Sequence, residues 1–394
     1  TRRTSRLRQH MFTRVRRMNE QITEPSRKVP ILMRVDVAVA GGGPAGWTAA
    51  IAAARNGART VLVERYGFLY GMGTNGYVAY FPCKELAPKV LEEKPLCCGV
   101  VQELLKRCEA MGGAVDPFDS VRYKVLKGFE SHSPFDPEVM KVACIQMAKE
   151  SGVELLLHTL VVGAVREGNT VKGVTVESKS GRQAILADVV VDATGDGDVA
   201  AFAGAEFEQD PPEKALGTTL IFRVANVDMD KAKKHTVEDL GCLAEEAVRK
   251  GELPEPEPGL VIPGWSAYDV RFLYVDLPPG LGERYIRRNE VFVTASLPGV
   301  NVVDVEDLSR AEQVTRKRTF QVTNFLRKYV HGFQEAYLSS TAVHIGIRES
   351  RRILGGYVLK GEDVEKGSRF ADVIARGTAY EQNLGTPGPG TFGP

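Results

Sequence analysis

The chain has 394 residues, of which 43% are apolar and 26% charged, and its formal net charge is +1. That length can bury the cores of two domains, and the balanced charge offers no overall attraction for nucleic acid or another polyanion. No apolar run reaches the length of a membrane span; the longest, VELLLHTLVVGAV, is interrupted by His158 and reads as strand.

In chain order, the first 17 residues, TRRTSRLRQHMFTRVRR, are rich in arginine and contain no acid. They lack the sustained apolar face of a transit peptide, and Met11, Met18 and Met33 follow. Residues 1–29 are therefore read as a disordered basic extension ahead of the true start.

The first organised signal is VDVAVAGGGPAGWTAAIAAARN, residues 35 to 56. Val35, Val37 and Val39 alternate as in a strand, and the alanine-rich run after the glycines favours helix. Gly41, Gly43 and Gly46 fit G-x-G-x-x-G. The first glycine permits the turn, the second lets a pyrophosphate reach the backbone, and the third lets helix pack on strand. Unpaired N–H groups at the helix start then face the phosphates. A second apolar strand, Thr60 to Val63, ends at Glu64, placed to bind an adenosine ribose hydroxyl. An acid there argues against NADP; NAD and FAD both remain open on this motif.

YGFLYGMGTNGYVAYF follows, with glycines where backbone must approach a ligand. In FDPEVMKVACIQMAKESG, Asp136 caps a helix that opens on Pro137, carries Met140, Ala143 and Met147 on one side, and stops at Gly152. Three strands come next, with turns at Glu167-Gly168-Asn169 and Lys179-Ser180-Gly181. The last strand, ADVVVDATG, is expected to be buried on both faces, with a second small-residue turn at Ala193-Thr194-Gly195. Two such turns at neighbouring strand ends border one ligand crevice and suggest a dinucleotide as large as FAD.

From residue 217 the pattern changes. LIFRV, RFLYVDL and EVFVTASL, separated by proline- and glycine-rich stretches such as ELPEPEPGLVIPG, read as a largely antiparallel sheet. VEDLSRAEQVTRKRTFQVTNFLRKYV is a long amphipathic helix with Leu308, Ala311, Phe325 and Tyr329 among its apolar positions, and its Arg316-Lys317-Arg318 run is expected on a solvated face. Arg348, with Glu349, Arg351 and Arg352, forms the densest charged cluster. Either Arg348 reaches a flavin or anionic substrate, or the cluster is an ion-pair network joining two domains. His344 is a weak acid–base candidate, more often a structural histidine. The cysteines at 83, 97, 98, 108, 144 and 242 lack C-x-x-C spacing and are expected to be reduced, mostly buried thiols in a cytoplasmic protein, with no metal or iron–sulfur site.

The motifs GGGPAG, ERYGF with GMGTNG, DVVVDATGDGD and HIGIRESRRILGGYVLKGEDV, in this order, resemble those of FAD-dependent oxidoreductases of the two-dinucleotide-binding-domain flavoprotein type. Within that group the chain is similar to bacterial proteins related to the flavin subunit of heterodisulfide reductase, from about Glu24 to about Gly377. The resemblance implies an α/β fold: a Rossmann-like FAD-binding domain of glutathione-reductase type, carrying an inserted mixed or antiparallel sheet that shapes the substrate pocket. It assigns residues 30–215 with 335–378 to the FAD-binding domain, 216–334 to the substrate or cap domain, and 379–394 to an irregular tail.

By position it implies that Gly41, Gly43, Pro44, Ala45 and Gly46 hold the pyrophosphate, and that Glu64, followed by Arg65, holds the adenosine ribose. Gly71, Gly73 and Thr74 would line the pyrophosphate and flavin, Val162 would offer its backbone to adenine, and Ala193, Thr194 and Gly195 would close the site. Tyr70 in place of a glycine and Trp47 after the third glycine put larger side chains at the turn. Relatives continue past the IARG segment into a strand, glycine turn and helix that contact the flavin, and GTAYEQNLGTPGPGTFGP reads as lacking them. The expected function is hydride transfer between FAD and an unidentified small substrate. The alternative is a truncated flavoprotein serving as a nucleotide-binding or scaffold module. A homo-oligomer or electron-transfer partner is compatible with either; nucleic acid and membrane are not expected partners.

Overall fold

The computed structural model describes residues 21–82, 99–123, 125–127, 132–253, 272–276 and 289–373. Residues 1–20 of the expected disordered extension, Cys83, Cys97, Cys98 and the tail 379–394 lie outside the described residues.

Strand β1 (Ile31–Ala40) passes through the glycine turn into helix α1 (Pro44–Arg55) and then β2 (Thr60–Val63). Pro44 suits the first helical position because its fixed φ matches the helix and its missing N–H would have had no intrahelical partner. A 3₁₀ turn at Gly71–Gly73 precedes β3 (Tyr80–Pro82), α2 (Val100–Ala110), α3 (Pro117–Arg122), β4 (Leu126–Lys127) and β5 (His132–Pro134). Helix α4 (Pro137–Glu150) starts as its sequence predicts: the Asp136 carboxylate accepts from the Glu138 and Val139 N–H groups. Gly152, at φ +84°, turns the chain away at its end.

After β6 (Glu154–Leu156), strands β7 (Leu160–Glu167), β8 (Thr170–Ser178) and β9 (Gly181–Asp192) meander back to the centre of the sheet. Its order is β6-β2-β1-β9-β8-β7, parallel from β6 to β9 and antiparallel beyond. One face packs on α1, α2 and α4 through Val39, Trp47, Ile51, Leu62, Met140 and Met147, a core worth roughly 2 kcal/mol per fully buried large side chain. Trp47 is completely buried, and its Nε1 donates to Cys144 O at 2.9 Å, which ties α1 to α4. The valine run of β9 is not buried on both faces, because Val189 is 54% exposed. The helix that follows, α5 (Asp198–Phe202), has five residues, and its Val199 packs with Val190 in the core on the other group of β9 side chains.

After β10 (Phe207–Gln209) the chain builds the antiparallel sheet from β11 (Thr218–Ala225), β12 (Phe272–Val275) and β13 (Glu290–Leu297), with the short helix α6 (Met229–Ala232) and α7 (Val237–Arg249) after β11. Helix α8 (Val305–Tyr329) and β14 (Tyr337–Thr341) complete this half, and β15 (Arg351–Ile353) and α9 (Gly361–Glu365) follow. The sheet order is β14-β11-β13-β12-β4, all antiparallel. Thus β14 belongs to this sheet although the sequence groups residues 335–378 with the nucleotide half. A strand leaving α8, which packs on β11 and β13, reaches β11 by the shortest return. The chain touches the first half again at Val343 and His344, and pairs with it as a strand at β15, which lies against β10.

Helix α8 buries Ala311, Phe325 and Leu326 together with Thr315, Thr319 and Thr323. These hydroxyls bond to backbone carbonyls of their own helix three or four residues earlier, so the buried stripe is polar yet satisfied. Within the basic run Lys317 is exposed as expected, whereas Arg316 and Arg318 are half-buried and engaged with the sheet side, which corrects the expectation for those two. Arg316 donates to Thr341 Oγ1 and Val343 O and pairs with Glu312, while Arg318 donates to Ser296 O. Their long stems carry the guanidinium groups to carbonyls of β13 and of the segment after β14. Among the described residues no helix is long and apolar enough to cross a membrane.

Candidate functional site

The carboxyl ends of β1, β2 and β9 open onto one cleft, lined by Gly41, Gly43 to Ala45, Val63 to Tyr66, Gly71, Met72, Asn75 and Ala193 to Asp196. The turn glycines divide by what surrounds them. A Cβ on Gly41 would lie 2.3 Å from Ala193 O, and one on Gly46 would lie 1.9 Å from Gly41 O. A Cβ on Gly43 would meet nothing within 4 Å. The outer glycines are required by the protein's own packing, whereas Gly43 leaves bare backbone facing the cleft at the start of α1, where helical N–H groups have no intrahelical partner.

Glu64 is 6% exposed at the end of β2. Its Oε2 accepts from Gly42 N at 2.7 Å and its Oε1 from Tyr66 N at 2.9 Å. The carboxylate is therefore fixed against the glycine turn, and each oxygen keeps a lone pair for a hydroxyl donor. The turn at Gly71 packs directly on this one: a Cβ there would approach Gly43 Cα to 2.9 Å. Tyr70 does not spoil the approach. It takes the left-handed conformation a glycine would use, φ +79°, and its buried ring sits edge-on against Trp47 and Phe135. Thr74 is buried and donates to Leu69 O at 2.6 Å, so its hydroxyl closes the turn and does not point at a ligand.

Across the cleft, Asp192 Oδ1 accepts from the Thr194 hydroxyl at 2.7 Å, and Thr194 Oγ1 accepts from Asp198 N. This holds Ala193 to Gly195 against the first glycine turn. Ser350 donates to Asp196 Oδ1 at 2.8 Å, and Arg351 bonds Asp196 O and Asp198 Oδ1. Burial raises the Asp196 pKa above the ordinary carboxyl value, partly offset by the Ser350 bond. Arg352 pairs with Glu208 and Asp210, and Glu349 accepts from Leu216 N. Most of the charged cluster thus forms the network that pins the second half to the nucleotide turn.

Arg348 differs. It lines the cleft, donates to Gly217 O and Thr219 Oγ1, and has no carboxylate partner among the described residues. His344 also lines the cleft; its ring stacks on Tyr66 at 5.3 Å, and its Nδ1 lies 2.7 Å from Ile345 O. Burial lowers the His344 pKa, so the ring is held neutral. Tyr66 and His344 form a partition between the cleft and an adjoining cavity of about 400 Å³, which Glu312 and Leu308 of α8 also line.

Most of the residues expected from the sequence line this cleft, but Gly46, Gly73, Thr74 and Val162 do not. Arg65 lines the cleft as expected, its guanidinium 5.0 Å from the Tyr66 ring centroid. Val162 is not among the lining residues; Leu160 and Val161 are, and Val162 sits at an irregularity in the β7–β8 pairing. Tyr66, Met72, Asn75, Asp196 and Ile347 escaped the sequence reading, although ERYGF, GMGTNG and GDGD contain four of them. Cys108 and Cys144 are buried, the former with its thiol pushed up to about 12 and the latter raised well above the ordinary value, both by desolvation. Neither is a poised nucleophile.

These features define a dinucleotide-binding α/β protein. Residues 36–384 match the FAD dependent oxidoreductase family, and the chain belongs to that family of FAD-dependent enzymes. Among curated relatives, thiamine thiazole synthase of Methanococcus maripaludis (strain C7) is 29% identical over 172 residues, 42% of this chain and 57% of its own. The corresponding synthase of Methanococcus vannielii matches to the same extent. The chain thus spans little more than half the length of these relatives. Among solved structures, the myxobacterial chondrochloren halogenase CndH has a TM-score of 0.45 at 15% identity, covering 81% of this chain and 64% of its own. A geranylgeranyl bacteriochlorophyll reductase-like protein of Thermoplasma acidophilum has a TM-score of 0.45 at 14% identity, covering 80% and 66%.

Proposed function

We propose that the protein passes a hydride between FAD and a small substrate, in a fold of glutathione-reductase type akin to the flavin subunit of heterodisulfide reductase. The observation that carries this reading is the contrast within one turn: Gly41 and Gly46 are closed in by protein, while Gly43 is bare toward a cleft that also holds the Glu64 carboxylate. A dinucleotide fits these walls, because its phosphates match the helix start and its ribose hydroxyls match Glu64.

In this reading Gly41 to Gly46 hold the pyrophosphate, Glu64 and Arg65 the adenosine, and Gly71, Gly73, Ala193, Thr194 and Gly195 keep the surrounding backbone close. The bulged segment around Val162 serves the adenine end. Bound flavin supplies the two-electron chemistry. Arg348, without a carboxylate partner among the described residues, favours an anion at the cleft mouth, and neutral His344 orients rather than ionises. A small-molecule substrate is the expected partner. The scaffold alternative is not favoured, since a module without turnover has no use for an open, charge-lined cleft.

The test is the visible spectrum of the purified chain before and after denaturation, followed by anaerobic reduction. Stoichiometric flavin that is reduced and reoxidised supports the proposal. A colourless protein that cannot be reconstituted with FAD, or one that retains NAD alone, overturns it.

A further inference from the structure

Asn75 is 2% exposed and lines the nucleotide cleft, yet its Oδ1 is buried without a hydrogen-bond partner. Its backbone is fully engaged: the N–H donates to Gly71 O at 2.7 Å, and the carbonyl accepts from Val343 N at 2.7 Å. These two bonds fix the residue between the turn at Gly71 and the start of the His344 segment. A buried carbonyl oxygen left unmatched is costly, and on a residue that lines a cleft it can be matched by a donor of the bound ligand. The orphan is an acceptor, so its partner must be a donor. Phosphate and carboxylate oxygens are excluded; an N–H or O–H is required.

We propose that Asn75 reads the imide edge of the isoalloxazine ring, its Oδ1 accepting from the ring N3–H. A carboxamide presents an acceptor beside a donor, the complement of the N–H and C=O that alternate along a cyclic imide. The inference rests on the FAD reading given above and adds to it a residue that recognises the ring. The choice of ring over adenine follows from the turn. Glu64 is bonded to Gly42, whereas Gly71, which leads to Asn75, packs on Gly43. A pyrophosphate lying along the bare Gly43 backbone has its adenosine on the Glu64 side and its flavin on the side of Gly71 to Asn75. Met72 and Ile347 line the cleft together with Asn75 and give a flat ring apolar walls.

The experiment measures the affinity of wild type and Asn75→Leu for FAD, 3-methyl-FAD and ADP, with the thermal midpoint of each ligand-free protein. Leucine is close in volume and removes the orphaned oxygen, so the ligand-free variant melts at or above the wild-type temperature; a residue with a merely structural role would lower it. Expected are an about tenfold loss of FAD affinity in the variant, unchanged ADP affinity, and equal binding of 3-methyl-FAD by both proteins. Equal FAD affinity in the two proteins overturns the inference while leaving the FAD reading intact. A matching loss for ADP assigns Asn75 to adenine and overturns it. Wild type that binds FAD and 3-methyl-FAD equally well also overturns it, and this arm needs no variant. Wild type that binds no FAD overturns both readings. Asn75→Ala repeats the test with a smaller side chain should the leucine variant fail to fold.

Discussion

Buried charge is treated differently in the two halves of the molecule. In the antiparallel sheet, Arg223 lies between the Tyr77 and Phe292 rings, 4.8 and 5.0 Å from their centroids, with Glu290 at 3.6 Å and Asp136 at 3.9 Å. Glu290 in turn accepts from the Ser339 hydroxyl, and Arg316 and Arg318 are spent on carbonyls of the same sheet. At the carboxyl ends of the parallel strands, the cleft is lined by the bare Gly43 backbone, by Asn75 with its buried unmatched oxygen, and by Arg348, which donates to Gly217 O and Thr219 Oγ1 but has no carboxylate partner among the described residues. The first arrangement closes a core and joins it to the cap of α4. The second lines an open cleft. Both regions leave buried polar atoms without a hydrogen bond, Arg223 Nε and Nη2 in the first and Asn75 Oδ1 in the second; they differ in that Arg223 is enclosed by the chain's own rings and carboxylates whereas Asn75 lines the cleft.

That contrast can be broken by mutation. The largest expected effect is at Arg223: Arg223→Ala leaves Asp136 and Glu290 without their buried cation, and chemical denaturation should show a loss of about 3 kcal/mol. An unchanged midpoint would mean these long ion pairs contribute nothing. Next come the two glycines of one turn. Gly46→Ala forces a Cβ against the Gly41 carbonyl and should cost roughly 1–3 kcal/mol as overpacking. Gly43→Ala should leave stability within about 0.5 kcal/mol while weakening FAD binding. If both variants behave alike, the division between packing glycine and ligand glycine is wrong. Arg316→Met removes the charged donor that fastens α8 to residues 341–343 and should cost about 1–2 kcal/mol, with no change in flavin affinity.

The smallest effect is the pH dependence of His344. Its folded pKa lies below the unfolded value, so between those two values the unfolded chain binds more protons. Stability from this group is full above the unfolded pKa, near 6.5, and is lost as pH falls through the lower folded value. His344→Asn should flatten the acid side of the melting-temperature profile; a steeper profile in the variant would contradict the burial argument.

The nucleotide half was legible in sequence because its signals are local. The strand, glycine turn and helix of residues 31–55, and the cap at Asp136, depend on neighbours a few positions apart. The strands at 218–225, 272–275 and 290–297 were also readable, as short apolar runs set off by proline- and glycine-rich stretches. What the sequence did not disclose depends on distant partners. The inward turn of Arg316 and Arg318 requires carbonyls on β13 and beyond β14, and the placement of β14 beside β11 follows from the path of α8. Tyr70 could stand for a glycine only because Trp47 and Phe135 hold its ring. Asn75 carries no motif weight of its own; its importance appears only when its oxygen is seen to lack a partner.

The clasp between Ser350 and Asp196 joins residues 154 positions apart, and Arg351 repeats the link to Asp198. One wall of the cleft is thus held from a segment that leaves the ribosome long after the glycine turns. Closing so long a loop is entropically slow, and the parallel strands can pair before it happens. During refolding, secondary structure should therefore recover ahead of tight flavin uptake, and a stopped-flow experiment with FAD present should resolve the two as separate phases.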